Sequence, residues 1–157
     1  MSTEELYQLF TKHPVISTDS RNIEQNALFF ALKGENFNGN SYAAKALENG
    51  AKYAVIDEPA CKLNDRCILV EDVLKSLQEL SRIHRLRLKI PILAITGTNG
   101  KTTTKELITA VLSKKFKVTA TKGNLNNHIG VPLTLLSMNH ETSIGIVEMG
   151  ANHPGEI

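Results

Sequence analysis

Ile92-Leu93-Ala94-Ile95 runs directly into Thr96-Gly97-Thr98-Asn99-Gly100-Lys101-Thr102-Thr103 and then into Lys105 to Leu112, a stretch of helix formers. A short apolar strand, a glycine turn and a helix thus follow in the order that a phosphate cradle needs. The glycines let the backbone approach a triphosphate, and amide hydrogens at the helix start bind its oxygens. Lys101 reaches the terminal phosphates, and Thr102 offers a hydroxyl to magnesium. Gly97, Thr98, Asn99, Gly100, Lys101, Thr102 and Thr103 are therefore the candidate nucleotide contacts, with Lys101 also a candidate catalytic cation. The literal Walker spacing is not met, because its first glycine would fall at Ile95, whereas Gly97 stands three residues before Gly100. An ordinary glycine turn would leave the Gly-Lys-Thr-Thr run and the apolar strand before it as coincidences.

Downstream, the pattern predicts a helix from Lys101 to about Lys115 and strands at Val118 to Ala120 and Ile144 to Val147. The last strand ends in Glu148-Met149-Gly150. Ligands of open α/β sheets collect at the carboxyl ends of the strands. Glu148 is accordingly a candidate catalytic carboxylate and, with Thr102, a candidate magnesium ligand. An acid after an apolar run is by itself more often a strand terminator, and the phosphate loop upstream reverses those odds. Strands separated by helices imply a parallel sheet. Such a sheet has several strands with helices on both faces, so residues 87–157 read as the first, incomplete part of a P-loop ATP-binding domain.

Upstream, residues 1–86 read as a separate small α/β domain. Ser2 and Glu5, followed by Leu6, Leu9 and Phe10, read as a capping box that opens an amphipathic helix ending near His13-Pro14. Strands are expected at Val15 to Ser17, Ala27 to Leu32, Ala54 to Ile56 and Ile68 to Val70, and a helix at Ser41 to Glu48 with Gly50 as its left-handed cap. Asp72 can cap a helix that carries Val73, Leu74, Leu77, Leu80, Ile83 and His84 at three- and four-residue spacings. The cations between His84 and Lys89 suit the carboxyl end of that helix, whose macrodipole is negative there.

The 157 residues are 41% hydrophobic, with 18 basic and 16 acidic side chains and a net charge of +2. That balance supplies no strong field for nucleic acid or an anionic membrane. No apolar run approaches the roughly 20 residues of a membrane span, and the amino terminus lacks a basic stretch before an apolar one. A cytoplasmic protein is expected. Cys61 and Cys67 fit neither a zinc cluster nor a disulfide framework. The sequence holds no internal repeat and no low-complexity stretch.

The loop GTNGKTT, Gly97 to Thr103, resembles the shortened nucleotide loop of the Mur ligases and folylpolyglutamate synthases. Three further segments resemble the Mur ligase family in particular. Thr18-Asp19-Ser20-Arg21 with Leu28 to Gly34 is similar to its amino-terminal uridine-nucleotide domain. Gly123-Asn124-Leu125-Asn126-Asn127 with Ile129 to Leu136, and Glu148 to Ile157, resemble the branch that adds D-alanyl-D-alanine. One departure is Asn38-Gly39-Asn40-Ser41-Tyr42, where many relatives carry Asp-Gly-His and an aromatic residue.

The resemblance implies an ATP-dependent amide ligase of peptidoglycan precursor synthesis that uses magnesium. A carboxylate of UDP-N-acetylmuramoyl-tripeptide would attack the γ-phosphate of ATP to give an acyl phosphate, and the amine of D-alanyl-D-alanine would then displace phosphate. It further implies substrate contacts at Asp19, Ser20 and Arg21, which in isolation read as a capped turn. Asn126 and Asn127 either meet the muramoyl substrate or phosphates, or close their loop through bonds to backbone. Competing readings are a relative with another acceptor, a nucleotide-binding switch without product, and a folded piece without activity. The stretch as given is expected to be inactive as a ligase alone and to self-associate through its uncovered sheet.

Overall fold

The structure, a computed structural model, describes residues 1–150. It is a mixed α/β protein with two parallel sheets. The chain divides into two compact units, Met1–Leu80 and a second beginning at Ser81.

In the first unit, helix α1 (Thr3–Lys12) opens with the expected capping box: the Ser2 hydroxyl accepts from the Glu5 amide at 3.3 Å, and the Glu5 carboxylate accepts from the Ser2 amide at 2.7 Å. Leu6, Tyr7 and Phe10 turn one face of α1 into the core. Strands β1 (Ile16–Ser17) and β2 (Leu28–Phe30) are followed by a small antiparallel pair, β3 (Lys33–Gly34) and β4 (Phe37–Asn38). The alternation of residues in so short a pair is too brief to read from the sequence. A 3-10 turn at Gly39–Tyr42 leads into α2 (Ala43–Glu48), which is therefore shorter than the helix expected from Ser41. Gly50, at φ +113°, follows its carboxyl end as expected. Strands β5 (Tyr53–Ile56) and β6 (Cys67–Leu69) complete a four-stranded parallel sheet in the order β1-β2-β5-β6.

Leu28, Phe29 and Phe30 are all buried, as are Ala54, Val55 and Ile56. Burial of consecutive strand residues means that both faces of this sheet are covered. One face packs Phe29, Ala31, Ala54, Ile56 and Cys67 against Ala43, Ala46 and Leu47 of α2. The small alanines let the helix lie close to the sheet, and each large buried side chain contributes roughly 1.5–3 kcal/mol. Cys61 and Cys67 are free thiols.

The Asn-Gly-Asn departure forms a polar hub within this unit. Asn40, 1% exposed, donates to Asp57 Oδ1 at 2.8 Å and to Asn38 Oδ1 at 2.9 Å, and its own Oδ1 accepts from the Asp57 amide at 3.0 Å. Lys33 pairs with Asp57 at 2.8 Å and with Glu58 at 3.1 Å. Gly39 is required by space, since a Cβ there would lie 2.3 Å from the Leu32 carbonyl oxygen.

Helix α3 (Val73–Leu88) contains the division between the units. Asp72 caps it by accepting from the Lys75 amide at 2.8 Å, and Arg85 and Arg87 occupy its last turn. The second unit has β7 (Ile92–Ile95), α4 (Lys101–Leu112), β8 (Val118–Ala120), α5 (Gly130–Leu136) and β9 (Ile144–Glu148). Helix α4 ends three residues before the expected Lys115, and the chain continues as turns through Phe116, whose amide donates to Leu112 at 2.9 Å. Helix α5 is an element that the sequence reading lacked, because Gly130 and Pro132 look like breakers. In the first helical turn neither is one, since amides there have no intrahelical acceptor to lose. Gly130 is also demanded sterically, as a Cβ would meet the Leu125 backbone at 2.3 Å.

The three parallel strands run in the order β7-β9-β8. The last strand in sequence is thus the central one among the described residues and is buried from Gly145 to Glu148. Strand β7 borders it on one side only, and this leaves Leu93 and Ala94 exposed although the run is apolar. His84, 7% exposed, bonds through Nε2 to the Met138 carbonyl at 2.8 Å, and burial lowers its pKa.

Burial opposes ionisation of Asp57, but bonds from Lys33, Asn40 and the Val73 amide outweigh it and hold its pKa below the ordinary aspartate value. The unfolded chain therefore binds more protons than the folded one at acid pH. The stability that this carboxylate contributes is complete above about pH 4 and is lost as the pH falls through the lowered folded value. Asp57→Asn is expected to flatten the acid limb of the stability profile, measured by urea unfolding from about pH 5 to about pH 2.

Candidate functional site

Strands β7 and β9 build the site in the second unit. Their register pairs Ile95, the residue before the glycine loop, with Glu148 at the end of the neighbouring strand. The loop and the carboxylate therefore emerge side by side at the carboxyl end of the sheet, where ligands of such sheets bind.

Gly97 has φ +145° and Gly100 φ +77°. A Cβ on Gly100 would meet nothing within 4 Å, so the demand for glycine there is conformational rather than steric. Gly100 precedes α4 without a side-chain cap, which leaves amides of the first turn free to meet an anion. The Lys101 ammonium rests on the Gly97 carbonyl oxygen at 2.6 Å and arches over its own loop.

Glu148 is 1% exposed and is the focus of bonds from three segments. Its Oε1 accepts from the Thr102 hydroxyl at 3.1 Å and from Asn126 Nδ2 at 2.9 Å. Its backbone amide donates to the Thr121 hydroxyl at 2.9 Å. Oε2 receives no hydrogen bond, and the Lys105 ammonium lies 3.5 Å from it. Burial raises the Glu148 pKa, but the bonds from Asn126 and Thr102 and the charge of Lys105 outweigh it, so the carboxyl stays below its ordinary value. A dry carboxylate with one oxygen free of hydrogen bonds, beside a hydroxyl at a helix start, suits a hard divalent cation. Among the described residues no three His, Cys, Asp or Glu side chains gather as a metal cage. A cation here would thus depend on nucleotide oxygens as well, which is the habit of magnesium.

The two asparagines part company. Asn126 meets Glu148, and its backbone carbonyl accepts from Gly150 at 2.7 Å. Asn127 Oδ1 accepts from the Ile129 and Gly130 amides at 3.1 and 2.8 Å and so closes the loop that opens α5. Lys105 is the residue that sequence reasoning passed over. It is the buried residue of α4, whereas the apolar Leu107 and Val111 are 64% and 70% exposed. Its signal was its place three residues after Thr102, hence on the same helical face.

In the first unit, Thr18, Asp19, Ser20 and Arg21 line a cavity of about 440 Å³ together with Phe29, Phe37, Gly39, Tyr42 and Lys45. Asp19 accepts from the Arg21 amide at 2.9 Å and pairs with its guanidinium at 2.7 Å. Bonds from the Arg21 side chain and backbone hold the Asp19 carboxyl at about 2. The capped turn and the cavity wall are therefore the same residues, with aromatic faces, two cations and polar groups around one hollow.

A glycine loop between a parallel strand and a helix, with an acid on the adjacent strand, defines an α/β protein of the phosphate-loop class. The profile described as Mur ligase family, catalytic domain, matches residues 14–96, and that described as Mur ligase middle domain matches residues 95–156. The chain belongs to the Mur ligase family. It is 44% identical over 144 residues to the UDP-N-acetylmuramoyl-tripeptide--D-alanyl-D-alanine ligase of Bacillus subtilis, covering 90% of this chain and 32% of that protein. The enzyme of the same name from Synechocystis is 45% identical over the same shares. Among solved structures, MurF from Acinetobacter baumannii superposes with a TM-score of 0.85 at 34% identity, over 99% of this chain and 37% of that one. MurF from Thermotoga maritima in complex with ADP gives 0.80 at 32% identity, over 90% and 33%. The chain thus spans about a third of the length of the curated relatives it matches. Of the segment from Glu148 to Ile157, residues 151–157 lie outside the described residues. No helix among the described residues is long and apolar enough to cross a membrane.

Asn127→Ala is expected to cost about 0.5–2 kcal/mol of stability, the range for a lost helix-opening bond, and Asn127→Asp to recover most of it. Chemical denaturation of the three proteins measures both.

Proposed function

We propose that the protein is an ATP-dependent ligase that joins D-alanyl-D-alanine to UDP-N-acetylmuramoyl-tripeptide in peptidoglycan precursor synthesis. The observation that carries the proposal is the Glu148–Thr102 contact, which brings an acid from β9 to the start of the helix behind the phosphate loop. The named activity of relatives at 44% and 45% identity supports the choice of substrates.

The loop amides from Gly97 to Thr103 would hold the β- and γ-phosphates of ATP, with Lys101 leaving the Gly97 carbonyl to meet the terminal oxygens. Glu148 and Thr102 would hold magnesium, which when bound offsets phosphate charge. The substrate carboxylate forms a bond to the γ-phosphorus as the bond to ADP breaks, and the resulting acyl phosphate loses phosphate when the dipeptide amine attacks its carbonyl carbon. Moving a phosphoryl group between anions demands positioning and fixed positive charge more than covalent chemistry. Asn126, by holding Glu148, positions that carboxylate near the muramoyl substrate. The cavity at Asp19, Ser20 and Arg21 would take the uridine nucleotide, with the Phe37 and Tyr42 rings as stacking faces and Arg21 and Lys45 facing the diphosphate.

The test, made on a protein that carries this chain at the full length of its relatives, is phosphate release that requires ATP, UDP-N-acetylmuramoyl-tripeptide and D-alanyl-D-alanine together. Turnover with another acceptor in place of the dipeptide would overturn the substrate assignment. Lys101→Ala is expected to lower turnover about 10²-fold or more while leaving the thermal melt unchanged. Near-normal turnover would remove Lys101 from the chemistry. Arg21→Ala is expected to weaken binding of the UDP substrate and to spare ATP, as read by calorimetry with each ligand. An equal loss for both ligands would contradict the assignment of the cavity.

A further inference from the structure

We propose that Lys105 is a built-in counter-cation of the magnesium site, which keeps Glu148 balanced without metal so that the divalent ion enters with the nucleotide rather than ahead of it. This rests on the reading of Glu148 and Thr102 as magnesium ligands.

Three observations support it. The Lys105 side chain is 1% exposed, whereas Leu107 and Val111 of the same helix are 64% and 70% exposed and Ile108 and Leu112 are half-buried, so a lysine holds the most buried place on α4. Its ammonium lies 3.5 Å from Glu148 Oε2, the oxygen that receives no hydrogen bond, and donates to the Gly123 carbonyl at 3.3 Å. Oε1 is already occupied by Thr102 and Asn126. The free lone pairs of the carboxylate thus face a fixed cation, and a divalent ion seeking them meets a like charge.

Glu106 is the other acid near this ammonium, at 3.1 Å, but its side chain is 65% exposed and solvent screens it. Among the described residues no three His, Cys, Asp or Glu side chains gather there, so a free divalent cation meets a carboxylate whose charge is already offset. A triphosphate changes that balance, because it brings several negative charges of its own to the loop. Thr102 and Lys105 are three residues apart on α4, so hydroxyl and ammonium address one carboxylate from a single helical face.

Manganese, followed by its paramagnetic resonance signal, is the probe, titrated into the protein with and without a non-hydrolysable ATP analogue. The unsubstituted protein is expected to bind manganese weakly alone and tightly with the analogue. Lys105→Met is expected to tighten nucleotide-free binding about tenfold or more, as removal of a close like charge in a dry site requires. Lys105→Arg should behave as the unsubstituted protein, and magnesium alone should raise the melting temperature of Lys105→Met more than that of the parent. Tight nucleotide-free binding by the unsubstituted protein would overturn the proposal, even if Lys105→Met does not fold. So would a folded Lys105→Met that gains no affinity while Glu148→Gln abolishes analogue-dependent binding, a result that leaves the magnesium reading intact. Undiminished analogue-dependent binding by Glu148→Gln would instead sink the magnesium reading and this inference with it.

Discussion

The second unit depends on the cost of keeping one carboxylate dry. Glu148 sits at the end of the central strand, where water is excluded, and a charge left unpaired in such a place costs about 3–5 kcal/mol. The groups that offset this cost come from separate parts of the chain: Thr102 and Lys105 from the helix after the glycine loop, and Asn126 from the segment after β8. Each contact is also a positional constraint. The start of α4 cannot shift along the sheet without losing Thr102, and the segment around Asn126 is tied to β9 a second time through the Gly150 amide. Stabilising the charge and assembling the site are in this sense one event.

The first unit uses a similar device at its own polar hub. Asn40, buried in the 3-10 turn before α2, satisfies both its amide nitrogen and its oxygen on Asp57 and Asn38, and Lys33 neutralises the acid from outside. The asparagine amide acts here as both donor and acceptor without a group that titrates near neutrality. The turn also brings Gly39 against Leu32, and Phe37, Gly39 and Tyr42 then stand on the wall of the cavity that Asp19, Ser20 and Arg21 share. The hydrogen-bonded hub and the cavity are thus successive features of the same few residues.

How far all this was legible in the sequence depended on the range of the interaction that decides each feature. Local signals read well. The Ser2–Glu5 capping box, the Asp72 cap and the strand-glycine-helix order at residues 92–112 each rest on contacts within a few residues. The short β3–β4 pair and α5 were not read, the latter because Gly130 and Pro132 are breakers only when a helix is already under way. Strand order was also beyond local pattern, since nothing near Ile144 says that β9 inserts between β7 and β8. That insertion is what sets Glu148 beside the loop, so the acid was visible as a candidate while the reason for its position was not. Asn127 shows the reverse case, in which a loop-closing role that pattern alone left open is visible once the α5 amides are located. Lys105 was passed over because a lysine in a helix is ordinarily a solvated residue.

The buried Lys105–Glu148 pair raises the question of why such a pair is kept at all. Replacing a buried ion pair with apolar residues of similar volume is often neutral or stabilising, so stability alone gives little reason for one. An apolar pair would hold α4 against β9 equally well, but it could neither accept from Thr102 and Asn126 nor exchange one cation for another. An acid paired only with neutral donors would hold the site together yet leave its charge uncompensated in a dry place. A pair of opposite charges satisfies both demands, because the ammonium offsets the carboxylate while Oε2 remains free of hydrogen bonds. The arrangement therefore keeps the carboxylate fixed in place and ionised, with Oε2 free of hydrogen bonds.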